Sequence, residues 1–183
     1  MSLLLEIARE SIAEVLEASR SIDVGVLKKE HPILNEKMAT AVTLYLDNEV
    51  RSHYCSLHPS KSLLDDLICT AKIAAFESEI YPPITTSQYL HVSIQVSLLT
   101  PLKALSYENI EQLISQISPH EDGIVMSYQE RESYLFPNAW ANKSIKEVLE
   151  KLSEAIKTKP SLQESPRIST FQVQNARDKA ILS

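Results

Sequence analysis

Glycine is almost absent from this chain: of 183 residues only Gly25 and Gly123 are glycine. A glycine-rich phosphate loop or a dinucleotide-binding turn needs several glycines in a short span, so both are excluded. Cysteine is nearly as scarce. Cys55 and Cys69 are the two thiols, too few for a disulfide framework, and in a reducing compartment they are expected to be free. Long apolar runs are missing as well, and nothing approaches the ~20 residues that span a bilayer. The opening MSLLLEIARE carries acids early and lacks both a basic segment and a small-residue cleavage site. It does not read as a signal peptide, and the expected location is cytoplasmic. Positive charge is in deficit, with 18 Lys and Arg against 24 Asp and Glu and a net charge of −6. That balance counts against nucleic-acid binding, which rests on cations neutralising phosphates. Lys28-Lys29 and the Lys143 to Lys159 stretch, interleaved with Glu147, Glu150 and Glu154, read as solvated faces.

What is present fits one ordinary domain over residues 1–183. The hydrophobic share is 44% and the charged share 23%, and a chain of this size buries roughly 70% of its unfolded surface. Leu4, Ile7, Ile12, Val15 and Leu16 recur at helical spacing, predicting an opening helix within residues 1–25. Residues 26–38 read as irregular, broken at His31-Pro32. Two β-rich runs, 41–46 and 49–57, flank Asp47-Asn48, which predicts a tight hairpin. Ser62 followed by Asp65 starts a helix with Leu63, Leu64, Leu67, Ile68, Ala71 and Ala75 on its apolar stripe, ending before Pro82-Pro83 and lying on the sheet. Cys69 is expected in that helix's core face. Val92, Ile94, Val96 and Leu98 alternate with polar neighbours, predicting a strand with one buried and one polar face. Ser106 precedes a short helix through Ile117, Asp122-Gly123 reads as a turn, and 124–128 with 133–136 as a second hairpin. Ser144 and Glu147 form a capping box for a further helix. A polar linker, 158–166, leads to a last strand near 168–174. Segregated hairpins and helices, without repeated β-helix-β alternation, point to an α+β fold with a mostly antiparallel sheet.

The segment VRSHYCSLHP, Val50 to Pro59, carries the candidate chemistry. On a strand with a side-chain period of two, Arg51, His53 and Cys55 project from one face. Arginine suits bidentate recognition of a carboxylate or phosphate, and His53 and Cys55 are the candidate catalytic residues, for acid-base or nucleophilic work. The competing reading is a structural strand face, because i and i+2 lie about 6.6 Å apart at Cα, too far for a direct His53 to Cys55 hydrogen bond in ordinary rotamers. His53, Cys55 and His58, with His91 or Cys69, match no strong zinc spacing, so no metal and no cofactor is expected. Tyr128, Tyr134, Phe136 and Trp140 cluster around the second hairpin, where cross-strand packing explains aromatics better than a stacking surface does.

Four segments, VRSHYCSLHPSKSL, AAFESEIYPPIT, LHVSIQVSLLTPL and DGIVMSYQERESYLFPNAW, resemble in order and spacing the AMMECR domain family, which includes protein A of the AmmeMemoRadiSam system. The similarity covers nearly the whole chain. It implies an α+β fold and an activity that is unsettled across the family, whose members have been proposed as enzymes or as partners of Memo-like and radical-SAM proteins. The family hallmark Leu-Arg-Gly-Cys-Ile-Gly aligns with Val50 to Cys55, and only Arg51 is retained. Ser52 and Cys55 stand at the glycine positions, which should narrow or fill a ligand's approach. Glu77 to Tyr81 stand where the family tends to carry Arg-Asp-Pro-Arg-Phe, so cations are exchanged for acidic or neutral groups. The resemblance also makes the loop at Pro82-Pro83 a pocket rim. The expected function is an accessory or binding component with a residual pocket at the Val50–Pro59 strand, its ligand-binding residues Arg51, His53 and Cys55. The alternative is an enzyme acting on a small anionic substrate through the same three.

Overall fold

A computed structural model describes residues 1–140, 142–156 and 166–182. The chain divides into two compact units, Met1–Leu99 with Gln174–Ser183, and Thr100–Val173. Both are built from helices and antiparallel strands, the α+β class expected.

In the first unit the opening helix α1 (Ser2–Leu16) buries Leu4, Ile7, Ala8 and Ile12. It stops where Ala18 takes a left-handed φ of 49°. A short helix α2 (Val24–Glu30) follows, with Asp23 capping it through a bond from the Val26 amide, and then a 3-10 turn over Pro32–Asn35. The stretch expected to be irregular is therefore largely helical. Its signal was weak because α2 buries no residue, so no apolar stripe marks it, and the Asp cap alone does.

Strands β1 (Ala39–Leu46) and β2 (Glu49–Cys55) form the predicted hairpin. Asp47 and Asn48 have φ of 52° and 63°, the paired left-handed geometry of a tight turn matched to strand twist. Helix α3 (Leu63–Phe76) starts on Ser62, whose hydroxyl accepts from the Asp65 amide. Its buried Asp66 locks it to the hairpin: Oδ2 accepts from the Thr40 amide at 3.1 Å and the Thr40 hydroxyl at 2.6 Å, and Oδ1 from the Ser56 hydroxyl at 2.8 Å. Burying a carboxylate is tolerable only with such partners. Leu64, Leu67, Ala71 and Ala75 join Ile7, Ile12, Val42, Leu44, Ile94 and Val96 in one core. Cys69 falls off that stripe and is half-buried, with the Lys61 ammonium 3.6 Å from its sulfur, so its expected place in the core is corrected. A further helix, α4 (Thr86–His91), sits behind a Thr85–Gln88 capping box that the sequence reading passed over.

Strand β3 (Ser93–Leu99) pairs with β1 from Ala39↔Leu99 to Tyr45↔Ser93. Its polar face is not solvated as expected: Ser93 and Ser97 are both buried. Ser97 donates to the Asn175 side chain at 2.6 Å and Ser93 accepts from the Arg177 guanidinium. The cause is position, since β3 has a strand on each side in the order β2-β1-β3-β7.

In the second unit β4 (Lys103–Ala104), β5 (Asp122–Tyr128), β6 (Arg131–Leu135) and the first part of β7 (Arg167–Arg177) pair antiparallel, β7 with β4 and β5, and β5 with β6. Asp122-Gly123 is not a turn but the start of β5; the chain turns earlier, at His120 with φ 73°. The short helix α5 (Ile110–Ser115) is capped by Asn109 instead of Ser106. After α6 (Pro137–Trp140), helix α7 (Ile145–Ala155) carries the Ser144–Glu147 capping box intact. Leu113, Ile124, Met126, Trp140, Val148, Leu152 and Ile168 make this unit's core. Trp140 is buried with its indole N–H donating to the Asp122 carbonyl at 2.9 Å, and Phe136 meets Tyr134 and Phe171 edge-on. The aromatic cluster is packing. The polar linker expected over 158–166 lies, apart from Pro166, outside the described residues.

Candidate functional site

A cleft of about 620 Å³ opens between β2 and the end of α3, walled by Val50 to Tyr54 on the strand, Ile73, Ala74 and Glu77 on the helix, and Ser78 to Tyr81 on the loop beyond. That volume is within the range of small-molecule sites, ~300–1,000 Å³.

The strand that walls it is irregular at one place. Leu44 pairs with Ser52 and Tyr45 with Val50, so Arg51 is an extra residue on β2 with no counterpart on β1. A bulge of this kind interrupts the alternation of faces and re-aims a side chain. The Arg51 guanidinium is turned onto the loop after α3: Nη2 donates to the Pro82 carbonyl at 2.7 Å and lies 3.4 Å from the Gln88 amide oxygen, and the group sits 5.6 Å from the centre of the Tyr81 ring. Its partners are held by local structure. The Ile84 amide donates to the Ala75 carbonyl, pinning the loop to α3, and Gln88 is fixed by its place in the Thr85 capping box.

Arg51 is only 6% exposed and Ser52 5%. Yet Arg51 Nη1 and Ser52 Oγ have no hydrogen-bond partner among the described residues. An unpaired buried polar atom costs about 1–3 kcal/mol. Both belong to adjacent residues that line the cleft, and both atoms are closed to solvent. Ser52, at a hallmark glycine position, was expected to fill the approach. The cleft that it borders is open, and its hydroxyl is buried.

The three residues expected in one row have separate surroundings. His53 bonds across the hairpin, its Nδ1 2.8 Å from Thr43 Oγ1. Part of the residue faces solvent, but desolvation of the imidazole lowers its pKa below the ordinary histidine value. Cys55 is buried opposite Ala41. Burial, with a smaller contribution from the Asp66 carboxylate, pushes its pKa up to about 12. A thiol so raised supplies almost no thiolate at neutral pH and is a poor nucleophile. Arg51 and His53 border the cleft; Cys55 does not. His58 and His91 are exposed, and among the described residues no group of three or more His, Cys, Asp or Glu side chains is placed to hold a metal ion.

Sequence reasoning singled out Arg51, which borders the cleft, and named Pro82-Pro83 as its rim, whereas the loop residues that line the cleft are Ser78 to Tyr81 and Pro82 meets Arg51 through its carbonyl; Ser52 and Gln88 were missed. The capping box at Thr85 was a legible signal for Gln88; nothing in the sequence announced the bulge.

An α+β protein with a cleft between an antiparallel hairpin and its covering helix is the class that these features define. The family follows from comparison: the AMMECR1 model matches residues 5–176, across both units, and the chain belongs to that family. Relatives include Protein MK0488 of Methanopyrus kandleri, 31% identical over 137 residues, 73% of this chain and 65% of that protein. A protein of Thermofilum pendens is 29% identical over 146 residues, 74% of this chain and 68% of that one. The matched stretch thus spans about two thirds of these relatives' length. The fold is shared with the crystal structure titled Uncharacterized Protein PH0010 from Pyrococcus horikoshii, at a TM-score of 0.87 and 22% identity, covering 99% of this chain and 93% of that chain. Among the described residues no helix is long and apolar enough to cross a membrane.

Proposed function

We propose that this chain is a binding component, and that the β2–α3 cleft receives an anionic group on Arg51. The observation that carries the reading is Arg51 itself, a buried cation of the cleft wall with no carboxylate partner among the described residues. A carboxylate or phosphate would supply the missing countercharge, and charge-assisted bonds of that kind are the stronger ones. The rival, an enzyme acting on a small anionic substrate through Arg51, His53 and Cys55, draws no support from a thiol with a pKa pushed up to about 12. The two units are proposed to work as one functional domain, since a single family match runs through both. Cytoplasmic residence fits its two free thiols.

Isothermal titration calorimetry tests the reading directly. Wild type is titrated with 4-methylpentanoate and with inorganic phosphate, beside Arg51→Gln checked for native circular dichroism. Saturable binding of one probe, weakened at least tenfold in the variant, is expected; heats of dilution only, for both probes, would overturn it. The resemblance also proposes Memo-like and radical-SAM partners. Tagged protein purified from its own cells, wild type beside Arg51→Ala, should recover such proteins only with the wild type if the cleft is also an interface.

A further inference from the structure

The cleft is not a general anion site, because its walls carry charge of both signs. Glu77, at the end of α3, and Glu79, on the loop beyond, line the same cleft as Arg51. Both are exposed, and among the described residues neither is ion-paired with Arg51 or with another cation. The lining also carries apolar side chains. Ile73 contributes from the helix, and Ile80, 82% exposed, from the loop.

Each class of small ion meets a different balance here. A dianion such as a phosphomonoester would gain Arg51 but share the cleft with two carboxylates. A simple amine would gain the carboxylates but meet a buried guanidinium. A plain carboxylate gives Arg51 a countercharge and leaves the two acidic groups of the cleft unused. One class matches all three surfaces. Resting on the anion-binding reading above, we infer that the ligand is a free α-amino acid with a branched apolar side chain. Its carboxylate pairs with the Arg51 guanidinium, its ammonium with Glu77 and Glu79, and its side chain lies on Ile73 and Ile80. The cleft's volume of about 620 Å³ holds such a molecule with its first waters.

L-leucine and its two half-molecules separate this inference from the reading that it rests on. 4-Methylpentanoate has the same skeleton without the ammonium; 3-methylbutylamine has it without the carboxylate. Calorimetric titration of the full chain is expected to show L-leucine binding at least tenfold more tightly than either half or inorganic phosphate. In the double variant Glu77→Gln/Glu79→Gln, whose exposed positions leave the fold intact, leucine should fall to the affinity of 4-methylpentanoate. If 4-methylpentanoate or phosphate equals or exceeds leucine in the wild type, the zwitterion is wrong and the anion site stands. If 3-methylbutylamine matches leucine, the carboxylate contact is wrong and both readings fall. If none of the four binds, both fall together.

Discussion

The ring of Phe171 on β7 lies directly over the α-carbon of Gly123, its partner across the β5–β7 ladder. Gly123 has no left-handed φ, so what the position requires is the missing side chain, not backbone freedom. A methyl group there would fall within the ring's own volume, with Phe171 edge-on to Phe136 at 5.3 Å and little room to yield. Gly123→Ala is expected to cost about 1–3 kcal/mol, the range for overpacking. A urea midpoint unchanged from wild type would show that the ring swings aside freely.

The two thiols should differ sharply in reactivity. With its pKa pushed up to about 12, Cys55 holds about one thiolate in ten thousand molecules at pH 8, and the thiolate is the reacting form. Cys69 is half-exposed on α3. One equivalent of thiol per chain should be alkylated rapidly by iodoacetamide in the native protein, and the second only after denaturation. Cys69→Ser should abolish the rapid phase and Cys55→Ser should leave it. A rapid phase that survives in Cys69→Ser would mean Cys55 is open to solvent and would revive it as a nucleophile.

His53 makes stability depend on pH on the acid side. Its folded pKa is lowered by burial from the ordinary 6.5, so as pH falls the unfolded chain takes up the proton first. The stability tied to the neutral ring is therefore complete above about pH 6.5, declines below it, and levels off once pH has passed the lowered folded value. Urea midpoints compared between pH 7.5 and 5.5 should fall less in His53→Gln than in wild type. Parallel declines in the two proteins would show that the imidazole is as well hydrated folded as unfolded.

Much of the frame was legible because its signals are local. Asp47-Asn48 between two β-rich runs, Ser62 with Asp65, and Ser144 with Glu147 each place their partners within a few residues, and each element stands where they put it. What escaped depends on distant neighbours. Ser93 and Ser97 read as a wet face because nothing in their own strand reveals Asn175 and Arg177. Asp66 carried no signal of its own in the sequence, and its role shows only when Thr40 and Ser56 come beside it. For the site, Arg51 was found by residue type, but the period of two that grouped it with His53 and Cys55 assumed an unbroken ladder. The single extra residue at Arg51 invalidates that arithmetic.

That same irregularity bears on how the protein stays out of trouble in a crowded solution. Strand β2 ends the strand order and carries exposed Val50 and Tyr54. An unbroken strand with such a surface is a template on which another copy can lay down a matching strand. Here the amides and carbonyls fall out of step at Arg51, so an incoming strand that matches the residues before the bulge misses those after it. The feature that turns the guanidinium onto the loop after α3 thus also makes the sheet's free margin a poor seed for self-association.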